Sequence, residues 1–263
     1  MRKSAAVSLK MGGTVLCFES DSAGVISVLK RRYAKFAGKG RLLCRISVRA
    51  AEGRQNPFKP LVEFSGNRLK LERGDFKAVL DLKTGLGELR AAPNEQCLDA
   101  FLRSLISFLL LHSGGFMLHS AGLVKNGKAY LFLGKSGAGK STLAKLAAAA
   151  GTEVISDEIN LLRFEGGRFR VYGSPFWGEM RSDGRQGNWP LGGIYLLGKA
   201  KANTVSPAAG RVALKFLLRC LVNFSKGPGT AELVMKNASR LLVKVEFRRL
   251  EFLKADSSFL ELI

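Results

Sequence analysis

The chain has 263 residues, a length that suits one large domain or a small domain beside a medium one. Its hydrophobic content of 46% and charged content of 24% are ordinary, so a core can form without disulfides or a structural metal. The formal net charge of +21 is large, but the basic residues are spread along the chain with no basic tail. This distribution is a weak footprint for nucleic acid, which is not expected as a partner, and it suits an acidic substrate.

The four cysteines have no CxxC spacing and there are only two histidines, which argues against a Cys/His zinc site. Scattered cysteines are typical of a reducing compartment. The first ten residues lack the apolar run of a signal peptide, and the most hydrophobic stretch, 105–111, is too short to span a bilayer. We therefore expect a cytoplasmic protein with no membrane partner.

Residues 1–94 are predicted to form a β-rich module of unknown role. Short apolar or alternating runs separated by glycine-rich turns predict its strands. These runs are 7–9, 15–18, 42–48, 62–64, 69–71 and 78–82, with a possible helix over 25–36.

Residues 95–263 are predicted to form a second domain with both helices and strands. Pro93 cannot continue a central strand, and Asn94 can cap the helix that the apolar spacing predicts over 97–112. Asn126-Gly127 predicts a hairpin between two strands. The predicted strands are 116–124, 129–133, 153–156, 159–164, 168–172 and 193–197, with one or two more over 242–252. A helix is predicted over 141–150, another from a Ser206 cap and Pro207 to about 224, and a third over 230–241.

Residues 134–141 read Gly-Lys-Ser-Gly-Ala-Gly-Lys-Ser and match the phosphate-loop pattern GxxxxGK[ST] between a predicted strand and a predicted helix. Glycines let the backbone N–H groups point at phosphates, and the helix N-terminus adds partial positive charge. Lys140 is expected to reach the β- and γ-phosphates, and the Ser141 hydroxyl to ligate Mg²⁺. The predicted nucleotide-binding residues are Gly134, Ser136, Gly137, Ala138, Gly139, Lys140, Ser141 and Thr142. The sequence thus predicts a bound nucleoside triphosphate, ATP, with magnesium.

Two acids, Asp157 and Glu158, follow the next apolar strand. A carboxylate at that position is where a phosphate-loop enzyme holds or orients its magnesium. The alternative interpretation is an exposed acidic turn. Because one short helix and one strand separate this pair from Lys140, its strand can lie beside that of the loop.

Three other residues have side chains that can take part in acid–base chemistry. His119 lies on the strand before that of the loop, where a lone histidine is more often a core residue than a catalyst. Glu179 follows two aromatic residues and several turn residues, in a segment that is either a substrate loop or an ordinary tight connection. His112 has no supporting context, and we interpret it as structural.

The order of these parts resembles the C-terminal catalytic domain of the HPr kinase/phosphorylase family, and resembles still more the smaller HPr-kinase-like proteins. His119 stands fifteen positions before Gly134, as in that family. The phosphate loop, the acidic pair Asp157-Glu158 and a Pro-Phe-x-Gly-Glu-like stretch at 175–179 carry the rest of the likeness. It covers about residues 95–263.

The resemblance implies an α/β (α+β) fold like that of phosphoenolpyruvate carboxykinases, with a mixed sheet, and ATP-dependent phosphorylation of a serine hydroxyl. Lys140 and the loop amides would bind ATP, and Ser141 with Asp157 would hold Mg²⁺. Either Asp157 or Glu158 would accept the hydroxyl proton, with His119 alongside. The family carries two aspartates where this chain has Asp157-Glu158, and its Arg-Gly-Leu-Gly motif is absent. We therefore do not expect HPr itself as the substrate, nor an efficient reverse reaction.

The leading hypothesis is a serine kinase that acts on a peptide, a small protein or a small hydroxyl metabolite, and a homo-oligomer is possible. A small-molecule kinase of the shikimate or gluconate type is one alternative, although in those enzymes the loop lies near the N-terminus. A nucleotide-binding regulator or ATPase without transfer activity is the other.

Overall fold

The computed structural model describes residues 4–53, 59–181 and 184–263 and shows a mixed α/β protein. The chain divides into two compact units, each built on one large sheet. Unit 1 comprises Met1–Leu109 with Asn223–Thr230, and unit 2 comprises Leu110–Val222 with Ala231–Ile263. Across the described ranges, no helix is both long enough and apolar enough to cross a bilayer.

Unit 1 contains a seven-stranded mixed sheet in the order β1-β2-β3-β7-β6-β5-β4. The strands β2, β3 and β7 are parallel neighbours, and the other pairs are antiparallel. The elements are β1 (Ala5–Met11), β2 (Thr14–Ser20), α1 (Ala23–Arg32), a 3₁₀ turn (Ala34–Phe36), β3 (Leu42–Ala50), β4 (Leu61–Ser65), β5 (Arg68–Arg73), β6 (Phe76–Asp81) and β7 (Leu86–Ala91). The sequence pattern predicts all of these strands except β7, and it merges the helix with the 3₁₀ turn that follows it.

Helix α2 (Glu95–His112) follows that sheet and begins where the sequence predicts a cap. The Asn94 side-chain oxygen accepts a hydrogen bond from the Cys97 N–H at 2.9 Å, which stabilises such a helix start by about 1 kcal/mol. Phe101 of this helix packs edge-on against Phe76 of the sheet, with ring centroids 5.8 Å apart. The cap predicted from the sequence is therefore confirmed.

The remaining elements follow in chain order. They are β8 (Phe116–Lys125), β9 (Lys128–Leu133), α3 (Lys140–Ala149), β10 (Glu153–Ser156), β11 (Ile159–Glu165), β12 (Arg168–Tyr172), β13 (Asn188–Lys199), β14 (Thr204–Pro207), α4 (Gly210–Cys220), α5 (Pro228–Lys244), β15 (Phe247–Phe252) and a 3₁₀ turn (Ser258–Leu262). The hairpin predicted at Asn126-Gly127 is confirmed, since β8 and β9 pair antiparallel around it.

The sheet of unit 2 branches at its two longest strands, β8 and β13. Their C-terminal halves flank β9 in a mixed array of order β10-β8-β9-β13-β15-β14. Their N-terminal halves pair instead with the hairpin of β11 and β12. Within the mixed array β9, β13 and β15 are parallel, so their C-terminal ends meet at one edge.

Side chains bury both faces of this array, as the alternation of each strand requires. Leu131 and Leu133 of β9 join a core with residues of α4 and α5, while Phe132 between them joins a core with residues of α3. The strand that feeds the phosphate loop is thus held from both sides.

One predicted helix start is wrong. Ser206 and Pro207 belong to strand β14, where they pair with Arg249 and Arg248 of β15. This strand ends the array, and an edge position tolerates a proline because its missing N–H faces no neighbour. The helix begins later, at Gly210, with Ala209 as its cap and no side-chain cap bond. Likewise residues 242–244, predicted as strand, complete α5.

Candidate functional site

The phosphate loop connects β9 to α3, as the sequence predicts. Helix α3 begins at Lys140, and Gly139 is its cap with a φ of 105°. L-residues with a side chain rarely adopt that conformation, so glycine suits the position. The first N–H groups of a helix have no intrahelical partner, and here they follow directly on the glycine-rich turn. The local geometry is that of an anion-binding helix start.

Lys140 lies within this loop rather than in solvent. Its side chain is buried, and Nζ donates a hydrogen bond to the Gly134 carbonyl oxygen at 2.9 Å. Burial lowers the pKa of the Lys140 amine below its ordinary value, while the charges of Cys220, Glu158 and Glu179, when negative, act in the opposite direction. Glu158 and Glu179 therefore act electrostatically on the loop lysine.

Strand β8 lies between the phosphate loop and the acidic pair. On one side Ser120 pairs with Leu133, the last residue before the loop. On the other side the Ser120 N–H donates to the Glu158 carbonyl oxygen at 3.0 Å. One residue of β8 thus links the two motifs that the sequence singles out.

The acidic pair occupies the break between β10 and β11, which both pair with β8. The Ser156 hydroxyl oxygen accepts the N–H groups of Glu158 and Ile159, each at 3.2 Å, and so fixes this turn. The Asp157 side chain is buried and its Oδ2 accepts the Met180 N–H at 3.1 Å. Asp157 is therefore oriented by a backbone donor from a segment 23 residues further along the chain.

That segment approaches the acidic pair very closely at Gly178. A β-carbon at this position would lie 2.7 Å from Asp157 Oδ1 and 2.7 Å from Glu158 Cβ. Only glycine allows the backbone to pass so near the two acids. The segment around Gly178 therefore covers the pair from one side.

Glu158 and His119 form the more accessible part of the site. His119 Nδ1 lies 3.4 Å from Glu158 Oε1, and their side chains are 36% and 27% exposed. Their backbones are close because His119 is paired with Ile159, the residue that follows Glu158. A carboxylate beside an imidazole at a partly open position can accept and hold a proton.

Glu179 lies on the covering segment, and its side chain is exposed to solvent. It is 73% exposed, and its Oε2 is 3.9 Å from Lys145 Nζ of α3. Unit 2 therefore brings together Lys140, His119, Asp157 and Glu158, with Glu179 at the outside. His112 stands at the last position of α2 and is exposed.

Three further residues near the loop are not predicted from the sequence pattern. Met180 supplies the amide that holds Asp157, and Cys220 of α4 donates its thiol to the Gly134 carbonyl at 3.7 Å. Lys254, two residues after β15, lies against Gly139. No local motif marks the first two, whereas Lys254 has one usable signal, its position after a strand that runs parallel to β9.

Hard oxygen ligands are the donors that a magnesium ion would need at this site. In the parts of the chain that the structure describes, no group of three or more His, Cys, Asp or Glu residues could hold a metal alone. The Ser141 hydroxyl and the Asp157 carboxylate are hard oxygen ligands, and Mg²⁺ is usually held by one or two such groups together with phosphate oxygens and water. The residues present therefore fit a magnesium ion that arrives with a nucleotide.

Comparisons with known proteins add little to this geometry. No family model matches the chain. No curated protein matches it in sequence. Among solved structures, the Hpr(Ser) kinase/phosphatase from Coxiella burnetii aligns with 47% of this chain and 93% of its own, at 14% identity and a TM-score of 0.26. A TM-score this low does not establish a shared fold, so the resemblance to HPr kinases stays a prediction.

Proposed function

We propose that this protein is a kinase that transfers the γ-phosphoryl group of Mg²⁺-bound ATP to a hydroxyl, with a serine of a peptide or small protein as the leading acceptor. The carrying observation is the arrangement around Ser120 of β8. It joins the phosphate loop on one side and the acidic pair on the other, and Glu158 of that pair acts electrostatically on Lys140 of the loop.

The phosphate loop would bind the nucleotide. Residues 134–139 run directly into α3, and the Lys140 ammonium, which now donates to the Gly134 carbonyl, would turn to the β- and γ-phosphates. Phosphate oxygens are stronger acceptors for an ammonium than a carbonyl, because both partners are charged. Positioning and charge neutralisation are the main contributions that a protein makes to phosphoryl transfer.

The acidic pair would divide two tasks. Asp157, buried and oriented by the Met180 amide, would hold magnesium together with Ser141. The ion, when bound, supplies charge neutralisation at the phosphates. Glu158, more exposed and beside His119, would accept the proton of the acceptor hydroxyl.

The class of phosphoryl acceptor is proposed from the net charge of the chain. A net charge of +21 favours encounter with acidic peptides or proteins over neutral ones. A small hydroxyl metabolite with acidic groups shares that chemistry and belongs in the same assay. The exposed Glu179 at the outside of the site would contact the acceptor rather than the nucleotide.

The experiment is incubation of the purified chain with γ-labelled ATP, magnesium and a library of serine-containing peptides graded in acidity. The expected result is magnesium-dependent label on a hydroxyl, with acidic peptides preferred. Lys140→Ala should abolish both nucleotide binding and transfer while its circular dichroism stays that of the parent.

Two results would contradict the proposal in different ways. ATP binding without transfer to any hydroxyl would indicate a nucleotide-dependent regulator or an ATPase. Normal transfer by Lys140→Ala would show that the phosphate loop is not the site.

A further inference from the structure

The edge of the sheet where the phosphate loop leaves β9 carries a second lysine. The strands β9, β13 and β15 are parallel, so the residues after β15 emerge at the same edge as the loop. Ligands of α/β proteins bind outside the carboxyl ends of such strands. Lys254 lies there, two residues beyond the end of β15 at Phe252.

The side chain of Lys254 lies across Gly139. A β-carbon on Gly139 would meet Lys254 Cε at 2.7 Å and Lys254 Nζ at 3.2 Å. Gly139 is the cap of α3, so the Lys254 ammonium stands at the positive end of that helix. Within residues 4–53, 59–181 and 184–263, Lys254 has no carboxylate at ion-pair distance. A cation held against a helix N-terminus is unfavourable unless an anion joins them.

The loop that carries Lys254 is anchored at both ends by one side chain. The Asn203 carbonyl oxygen accepts the Leu253 N–H at 2.7 Å, and its amide nitrogen donates to the Ser258 hydroxyl at 2.8 Å. Phe252 and Phe259, which bracket the loop, are buried and pack edge to face with centroids 5.3 Å apart. These contacts set the backbone position of Lys254 beside Gly139, while its side chain is exposed.

We propose that Lys254 is a second phosphate-binding cation of the nucleotide site, and that its ammonium contacts the phosphate chain of a nucleoside di- or triphosphate at the start of α3. This inference rests on the proposed function for the presence of a nucleotide. It adds a residue that lies outside the loop motif and is supplied by the last strand of the sheet. Asn203 is its positioning residue.

The test measures dissociation constants by calorimetry for ATP, ADP and inorganic tripolyphosphate. Lys254→Met keeps the aliphatic stem and removes the charge, Lys254→Arg keeps the charge, and Lys215→Met removes one exposed charge from α4 as a matched control. We expect Lys254→Met to weaken all three ligands by about tenfold, the worth of one charge-assisted contact at a partly open site. Lys254→Arg and Lys215→Met should bind nearly as the parent does.

Other outcomes overturn the inference. If Lys254→Met binds all three ligands as the parent does, Lys254 does not contact the phosphates. If it weakens ATP but not tripolyphosphate, Lys254 serves the base or ribose instead. If the parent binds ATP and Lys140→Ala does not, while Lys254→Met is unaffected, the proposed function survives and only this inference fails. A parent that binds neither ATP nor tripolyphosphate refutes both.

Discussion

At the scale of single residues, the protonation state of Lys140 should affect nucleotide binding. Burial lowers the pKa of its amine, and the charges of Cys220, Glu158 and Glu179 oppose that shift when they are negative. A bound triphosphate would favour the ammonium form and raise the pKa again. Nucleotide binding is therefore coupled to the proton on Lys140.

This coupling predicts a pH dependence with a definite sign. Below the lowered pKa the site is already charged, so affinity for ATP is flat. As pH rises through that value, below the ordinary 10.5, binding must first protonate the amine. The affinity for ATP should then decrease with a slope that approaches about tenfold per pH unit, because one proton is taken up on binding. Calorimetric titrations of ATP between neutral pH and pH 10 measure the fall.

Two variants distinguish the contribution of Lys140 to this pH dependence from the contributions of its neighbours. Lys140→Arg should flatten the profile because a guanidinium stays protonated throughout. Cys220→Ala should leave the fall in place because it keeps the Lys140 amine and removes only the Cys220 thiol, whose pKa is raised by burial. An identical fall in the arginine variant would assign the effect to another group.

The acidic pair gives a second prediction at this scale. Glu158→Gln keeps the shape of the side chain and removes the base, so kcat should fall by a factor of about 10² to 10⁴ with little change in the dissociation constant of ATP. The kcat of Glu158→Asp should lie between those of the parent and Glu158→Gln, because the shorter side chain no longer reaches the position 3.4 Å from His119 Nδ1. Steady-state transfer assays provide both values. If Glu158→Gln keeps the kcat of the parent, Glu158 is not the base.

At the scale of elements, the sequence predicts structures that are formed by one continuous stretch of chain. It fails where pairing with a segment distant in the sequence determines the secondary structure. The phosphate loop, its strand and its helix are one continuous stretch, so their pattern predicts them well. The Ser206 and Pro207 pattern is equally clear locally, yet pairing with β15 overrides it and makes a strand. A local sequence pattern does not determine the secondary structure of a segment when its backbone can form hydrogen bonds with the edge strand of a sheet.

The same distinction between local and distant determinants holds for the candidate site. Lys140, Asp157 and Glu158 each follow a strand and are found from pattern alone, and the roles proposed for them stay predictions. The Met180 amide on Asp157 and the Lys254 side chain on Gly139 join positions far apart in the chain. No periodicity in one sequence carries that information, because it depends on which strands become neighbours.

The covering segment at Gly178 makes a prediction about an element. Gly178→Ala places a methyl group 2.7 Å from Asp157 Oδ1 and should displace the segment or the carboxylate. We expect turnover to fall by at least tenfold and the magnesium requirement to rise, with the ATP-binding loop unaffected. Transfer rates across a magnesium series test this expectation. Gly210→Ala is the control, since its β-carbon meets nothing within 4 Å; equal losses in the two variants would contradict the assignment.

At the scale of the whole molecule, the reactivity of the cysteines can be used to measure the opening of each unit separately. All four are free and buried. Burial raises the pKa of Cys44 to about 11 and, as the largest of several influences, the pKa of Cys97 to about 12. Cys220 lies in unit 2, whereas the other three lie in unit 1. A thiol that is buried and protonated at neutral pH reacts only when its surroundings open.

Ligand binding should therefore protect one thiol in particular. Saturating Mg²⁺-ATP at about 100 times its dissociation constant stabilises the bound fold by about 2.7 kcal/mol, which slows opening-limited labelling by roughly 100-fold. We expect that slowing at Cys220, whose thiol donates to the phosphate loop at Gly134. Mass spectrometry after timed labelling, peptide by peptide, measures each cysteine. The Lys140→Ala variant should show no ATP effect at Cys220, and protection that persists in this variant would mean that the nucleotide binds elsewhere.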